Sequence, residues 1–590
     1  MKKIIIPITI LFLGLLSCEK DYLELNPLDS VTEAAYFKTP QQFANAANQL
    51  YIGLVGWKPT KASGTPNGFE SSIYDFMDFG SDLNGLPLEV GRGANTITND
   101  DKYWDNTYYY LRDVNILLQK ANEYKGNAAD ISQSVATAYF FRAWHHFFLL
   151  QRFGGIPIVT TVVDLDSPEL YGARNSRYEV INQIFSDLDK AIAGLPTEQN
   201  IGSLDKGKIS KWGAEAFKAK ILLYEATWEK YVGVTTDFQG SGTSSANITA
   251  YLTEAITLSK DVMDNGGYEL WNKNATLNNL SSNYLFNLED SNSNPGGFDK
   301  SSNKEFIIQG IYDFNLRKGG VNISHTVTSR LSPSRKLMDM VLCTDGLPVD
   351  KSPLFQGYNK TSDEFKNRDY RLKAYFGGNI PTDGSVALKA ASDGVSGSGI
   401  DARKFRSYNY GTYRAALEES FNYPFLRLPE VYLTYAEALY ERDGAISDAD
   451  LNLSINKIRA RAGVAPLTNT LVSVNGLNML DEIRRERTIE LFGENNRFDD
   501  LKRWGIAEQE LNKDVLGAVI EGTVYETNTS LYKPTDFVYG EKSVTTAVGT
   551  RRVSVIDPAS NRNFSRKNYL FPIPPTQRAL NPALVQNPGW

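Results

Sequence analysis

The sequence predicts a mainly α chain, a helical-repeat scaffold with a loop-rich, partly irregular binding face and short strands. Three observations predict it. Between Phe425 and Gly463, two helical patterns are joined by a short break, forming an αα-hairpin. Upstream of residue 270, several long segments repeat apolar residues with a period near 3.6. From Asn272 to Ser420 that periodicity stops, and Ser, Asn and Gly surround short apolar runs such as Phe306-Ile307-Ile308.

Taken in order, the chain opens with a positive pair, Lys2-Lys3, and a short apolar stretch from Ile4 to Leu16. That stretch is too short to span a bilayer as a helix and has the layout of a signal peptide. Leu15-Leu16-Ser17-Cys18 is similar to a bacterial lipoprotein cleavage box. Residues 1–17 are therefore expected to be removed, and Cys18 to carry acyl chains such as palmitate. Two or three such chains anchor stably, at about 0.8 kcal/mol per buried CH₂. Ser30 to Glu33 offers helix-capping chemistry, and TPQQFANAANQLYIGL continues as a helix. Lys58–Gly68 and Gly85–Asp101 read as loops on their Pro and Gly content.

Between those loops lies SSIYDFMDFGSDLNG, which places Tyr74 and Asp82 beside glycine-rich segments. The next helix, WDNTYYYLRDVNILLQKANE, puts Trp104, Tyr108 and Leu111 on one buried face. SVATAYFFRAWHHFFLLQRFGG is apolar on nearly every face, so it predicts a helix buried all round, stopped at Gly154-Gly155 with Gly154 at positive φ. Its adjacent His145 and His146 point about 100° apart and are poorly placed to chelate one metal. Helices follow over 178–195, 208–231 and 251–263.

In the middle region, Asp290, Asn292 and Asn294 imitate the start of a calcium loop. Pro295 stands where that loop needs glycine, and Ser301 where it needs glutamate, so no EF-hand is expected. IYDFNLR, residues 311–317, reads as a strand with Tyr312 and Phe314 on one face and Arg317 close behind. In the hairpin, Pro429 suits a first helical turn. Tyr432, Tyr435, Ala436 and Leu439 make one apolar face, and Asp443-Gly444 breaks it. Ser447 caps a second helix with the stripe Leu451, Ile455, Ile458 and Ala462, closed by Gly463. The unit is close to the roughly 34 residues of a tetratricopeptide repeat. LDEIRRERTIELFGENNRFDDLKRWG then gives a helix with Leu480, Ile483 and Leu491 on one face. Asp481 can pair with Arg485, and IRRER reads as a solvated basic face. Tyr525–Arg552 reads as irregular.

Several of these segments carry a resemblance. FLRLPEVYLTYAEALYE, LSINKIRARAGV, IRRERTIELFGENNRFDDLKRWG and the closing YLFPIPPTQRALNPALVQNPGW, in that order, resemble the C-terminal region of the SusD/RagB family. RAWHHFFLLQRFGGIPIV and GKISKWGAEAFKAKILLYEATW resemble its N-terminal region. The resemblance implies a tetratricopeptide-like scaffold, an N-terminal region over 18–270 and a C-terminal region over 271–590. The latter would hold loop excursions (271–420) and the helical hairpin region (426–505). It further implies a surface-exposed outer-membrane lipoprotein that binds oligosaccharides, in some members peptides. Such a protein serves as the lid of a SusC-like TonB-dependent transporter. No ligand residues carry over from the family.

Composition narrows the function independently. The 62 Lys and Arg against 69 Asp and Glu give a net charge of −7, which speaks against nucleic acid as a partner. Two cysteines, three histidines and no CxxC or HExxH spacing predict no zinc site and no cofactor. GxSxG, Walker and GxGxxG motifs are absent from the sequence. A surface glycan hydrolase would need only two facing carboxylates, but no stretch singles out a pair. A binding module needs aromatic faces and a few polar groups, and the candidates are Tyr312, Phe314 and Arg317, then Tyr74, Asp82 and Trp104.

Overall fold

The computed structural model describes residues 36–54, 56–57, 78–242, 247–320, 323–324, 331–376, 386–389, 397–407, 415 and 417–590. The signal segment, Cys18, the capping residues 30–33, the loop at 58–68 and Tyr74 lie outside the described residues.

Most of the long helices begin where a side chain satisfies free backbone N–H groups, those over Ser132–Phe153 and Leu428–Asp443 being the exceptions. Thr39 caps α1 (Pro40–Gln49), with Gln42 completing a capping box. Asp101 caps α2 (Lys102–Glu123). α3 (Ser132–Phe153) ends at Gly154, whose φ of 75° and ψ of −132° suit only glycine. Ser176 and Glu179 box α4 (Arg177–Gly194), Ser210 caps α5 (Lys211–Tyr231), and Asn247 caps α6 (Ile248–Asn265). Consecutive helices from α2 to α6 pack pairwise, and α7 (Leu428–Asp443) packs on α6. The result is a mainly α stack of the helical-repeat kind.

The hairpin has the expected stops, Gly444 at φ 69° and Gly463 at φ 67°. Its second helix is broken, however. α8 (Asp448–Leu453) and α9 (Ile455–Ala462) meet at Ser454, with φ −126° and ψ −98°. The face expected on α7 is also too narrow, since every residue from Leu428 to Ala438 is buried. Neighbouring helices cover it on all sides, and its acids Glu430, Glu437 and Glu441 each meet a cation.

The largest correction concerns IRRER, which lies in α10 (Met479–Glu490). Glu482, Glu486, Arg487 and Glu490 are buried, not solvated. Burying such charges is affordable only with partners. Glu490 meets Arg371 at 2.8 Å, Arg427 at 2.5 Å, and Arg461. Arg459 donates to Glu486 at 2.9 Å, and Arg487 to Asp500 at 2.9 Å. Arg485 pairs with Glu482 at 3.2 Å rather than with Asp481.

Strands are short. β1 (Phe306–Gly310) pairs antiparallel with β2 (Tyr423–Arg427), from Phe306↔Arg427 to Gly310↔Tyr423. The late segment expected to be irregular instead holds a hairpin, β4 (Glu541–Thr546) and β5 (Gly549–Asp557). With β3 (Val515–Val519) it forms a sheet ordered β3-β5-β4. Asp290 and Asn294 spend their side-chain oxygens on nearby backbone N–H groups, of Asn292 and of Gly296 and Phe298. The main core joins helices of both halves of the chain, from Phe43 through Phe141, Ile181 and Trp228 to Leu433, Ile483 and Tyr569. A second core lies below the excursions, where Trp57 meets Phe405, Phe421 and Tyr423 edge-on at 4.9–5.2 Å.

Candidate functional site

The strand expected over 311–317 is a turn, closed by reciprocal backbone hydrogen bonds between Asp313 and Arg317 at 2.8 Å. Alternation therefore does not put both rings on one face. Tyr312 points inward and is 2% exposed in the second core. Its hydroxyl accepts a hydrogen bond from the Trp57 backbone N–H at 2.8 Å. Arg317 covers the Tyr312 ring at 4.5 Å and donates to the Ile311 carbonyl at 3.0 Å. Phe314 is half-buried, with the Lys318 ammonium 4.4 Å from its ring.

Asp82 and Trp104 are buried too. Asp82 accepts two hydrogen bonds from Arg497, at 2.8 and 2.7 Å, and one from Lys336. Burial opposes its ionisation, but the charges of Arg497 and Lys336 outweigh that and hold the carboxyl below the usual range. Trp104 belongs to the main core and packs edge-on against Phe153 at 5.1 Å. Among the described residues, no group of three or more His, Cys, Asp or Glu is placed to hold a metal ion.

A different place has the make-up of a binding site. A cleft of about 140 Å³ lies where α3, α5, β2, α10 and α11 (Arg497–Arg503) converge. α3 contributes Trp144, Phe148 and Gln151, at i, i+4 and i+7, so one helical face lines one wall. α5 contributes Phe217 and Lys220, and β2 contributes Phe425. Trp144 lies 4.8 Å from Phe217 and stands edge-on to Phe425 at 5.6 Å. Trp144, Phe148 and Phe425 are each only partly buried, so some ring surface remains accessible.

Polar groups rim these rings. Gln151 donates to Asp499 at 3.1 Å, and Lys220 donates to Asn496 at 3.1 Å. The exposed Asn495 sits at φ 60° in the turn before α11, a conformation that Asn tolerates better than most residues. His145 lines the floor and stacks on Tyr110 at 5.5 Å. Burial first, then the neighbouring His146, pushes its pKa down to about 3, so the ring is neutral at physiological pH. Partly exposed ring faces beside amide and carboxylate groups suit a ligand with both C–H faces and hydroxyls. The volume suits one ring or chain end rather than a whole oligosaccharide.

Sequence reasoning missed Trp144, Phe148, Gln151, Phe425 and Asn495. The i, i+4, i+7 spacing of the first three was visible. However, a helix apolar on every face does not say which face meets a gap.

Fold and cleft together describe a helical-repeat protein with an aromatic-walled concavity. The chain belongs to the SusD family, whose model matches residues 281–590, more than half of it. A second family model, described as starch-binding and associating with the outer membrane, matches residues 22–223. A SusD-like protein of Bacteroides ovatus is 25% identical over 414 residues, covering 68% of this chain and 65% of that one. SusD-like protein P2 of Formosa agariphila is 24% identical over 543 residues, covering 85% and 91%. Among solved structures, a SusD-like carbohydrate-binding protein of Bacteroides fragilis superposes with a TM-score of 0.68 at 22% identity. That match covers 93% of this chain and 99% of the other. A laminarin-binding SusD-like protein gives a TM-score of 0.53 at 19% identity over 94% of this chain and all of the other. At such identities the structural likeness establishes the fold.

Proposed function

We propose that this protein binds nutrient glycans at the outer-membrane surface, without cleaving them, and delivers them to a SusC-like TonB-dependent transporter as its lid. The observation that carries the binding part is the aromatic-walled cleft, with Trp144, Phe148 and Phe425 beside Gln151, Asn495 and Asp499. Sugar rings stack their C–H faces on such side chains while their hydroxyls meet the polar rim. Acylation at Cys18 supplies the membrane attachment in this reading. No helix among the described residues is long and apolar enough to cross a membrane.

The test is titration calorimetry with oligosaccharides and peptides, with chromatography of the recovered ligand. Saturable oligosaccharide binding with intact ligand is the expected outcome. Trp144→Ala and Phe425→Ala should each weaken it at least tenfold, equivalent to about 1.4 kcal/mol. Released shorter sugars would turn the reading to a hydrolase, and exclusive peptide binding to a peptide-uptake role. Co-purification of a TonB-dependent barrel from outer membranes tests the transporter partnership.

A further inference from the structure

We infer that the floor of this cleft is a hydrogen-bonding pocket that takes the uncharged, hydroxyl-rich end of a glycan and rejects acidic sugars. The inference rests on the cleft reading above and specifies its ligand class. Five polar atoms of the cleft's lining residues have no hydrogen-bond partner among the described residues: Thr107 Oγ1, His145 Nε2, Tyr224 Oη, Thr434 Oγ1 and Arg487 Nη1. All five side chains are more than nine-tenths buried. They come from α2, α3, α5, α7 and α10, so no single local distortion accounts for them. Buried polar atoms in folded proteins are nearly always paired with protein, water or ligand. A gathering of unpaired ones around a single concavity therefore points to what enters it. A sugar hydroxyl both donates and accepts, so it can pair with a threonine or tyrosine hydroxyl, a neutral imidazole or a guanidinium N–H.

Charge then selects the class. Among the described residues, every Lys and Arg lining the cleft is already matched in place. Arg487 is held by Asp500 at 2.9 Å and by Glu430 at 3.2 Å. Lys220 meets Glu430 at 2.9 Å, and Arg503 meets Glu437 at 2.6 Å. His145 is neutral above pH 5 and adds no positive charge. A carboxylate or sulfate entering here would lose its hydration without gaining a free counter-charge. A neutral ring pays no such penalty.

The experiment titrates the full chain with maltohexaose, laminarihexaose and mannohexaose, and with a hexagalacturonate and a heparin hexasaccharide. The expected result is that at least one neutral sugar binds roughly tenfold tighter than either acidic one. Thr107→Val and Thr434→Val, which keep shape and remove a hydroxyl, should each weaken the neutral ligand by roughly tenfold at unchanged melting temperature. Removing single hydroxyls from the terminal ring of the bound hexasaccharide should weaken binding comparably and requires no protein variant. If Trp144→Ala loses binding while both threonine variants and the deoxy sugars match wild type, the cleft still binds glycan and the buried floor is overturned. If Trp144→Ala binds like wild type, or no sugar binds, the cleft reading falls and the inference with it. Tighter binding of an acidic sugar overturns the ligand class.

Discussion

Replacing Arg427 with Met tests how much the buried ion pairs of the C-terminal half stabilise the fold. Arg427 is 1% exposed. It donates to Glu494 at 2.7 and 2.8 Å, to Glu305 at 2.8 Å, to Glu490 at 2.5 Å and to the Glu490 carbonyl at 2.7 Å. Met has similar volume and no charge, so packing changes little while three buried carboxylates lose a partner. None becomes isolated, because Glu305 and Glu490 keep Arg461, and Glu494 keeps Lys404. The loss should therefore be that of one broken buried pair, about 3–5 kcal/mol, and not three times as much. The pH dependence has a definite sign. Burial opposes ionisation of Glu490 and Glu494, but the surrounding guanidinium and ammonium charges outweigh it and lower both folded-state pKa values. Lowered carboxylates contribute stability that is present above the unfolded value of about 4.3 and is lost as pH falls below it. In the variant the remaining carboxylates are less well compensated, so their folded-state pKa values rise. The gap between wild type and Arg427→Met should be widest near pH 7 and shrink as the solution is acidified through the carboxylate range. Urea unfolding followed by tryptophan fluorescence at several pH values measures it. A gap below about 1 kcal/mol at neutral pH, or one that stays constant on acidification, refutes the reasoning.

Three further outcomes are expected, two from the geometry and one from the sequence around Cys18. Gly154→Val should destabilise by roughly 2–5 kcal/mol, since its backbone is strained for any side chain and a Cβ there would lie 2.8 Å from Leu570 Cδ1; an unchanged melting temperature would remove Gly154 as a required stop. Tyr312→Ala should cost about 3–5 kcal/mol as a core truncation, whereas Phe314→Ala should cost far less; equal effects on stability would contradict the inward placement of Tyr312. Cys18→Ala should release the protein from the membrane fraction in cells lacking the transporter, and retention there would sink the lipid-anchor proposal.

The helix ends were legible because capping is local chemistry. Ser447 meets Asp450 three residues on, and Gly444, Gly463 and Gly154 needed only a periodic run that stops. The status of IRRER was not legible. Glu490 meets Arg427 across 63 residues, and Arg427 meets Glu305 across 122, so nothing near IRRER in sequence distinguishes a buried charge from a solvated one. Tyr312 failed for a related reason. A turn and a short strand present the same apolar–polar alternation over a few residues, and only the long-range contact with Trp57 decides between them. The cleft is a gap between elements far apart in the chain, and periodicity within one element cannot show such a gap.

The buried network also reaches the cleft, which makes stability and binding separable in a specific way. Asn495 projects from a turn whose flanks are fixed. Glu494 is gripped by Arg427 and Lys404, and Asn496 accepts from Lys220 while donating to the Glu494 carbonyl at 3.1 Å. Holding a non-glycine residue at positive φ requires such fixed flanks. Arg459 belongs to the same buried network but pairs with Glu482 and Glu486, away from that turn. Arg427→Met should therefore weaken glycan binding as well as stability, because it loosens Glu494 and with it the Asn495 rim. Arg459→Met should cost comparable stability and leave affinity within about twofold, a difference of roughly 0.4 kcal/mol. Titration of both folded variants with the neutral hexasaccharide that wild type prefers makes the comparison. Equal loss of affinity in the two, or none in either, would show that the rim does not depend on this network.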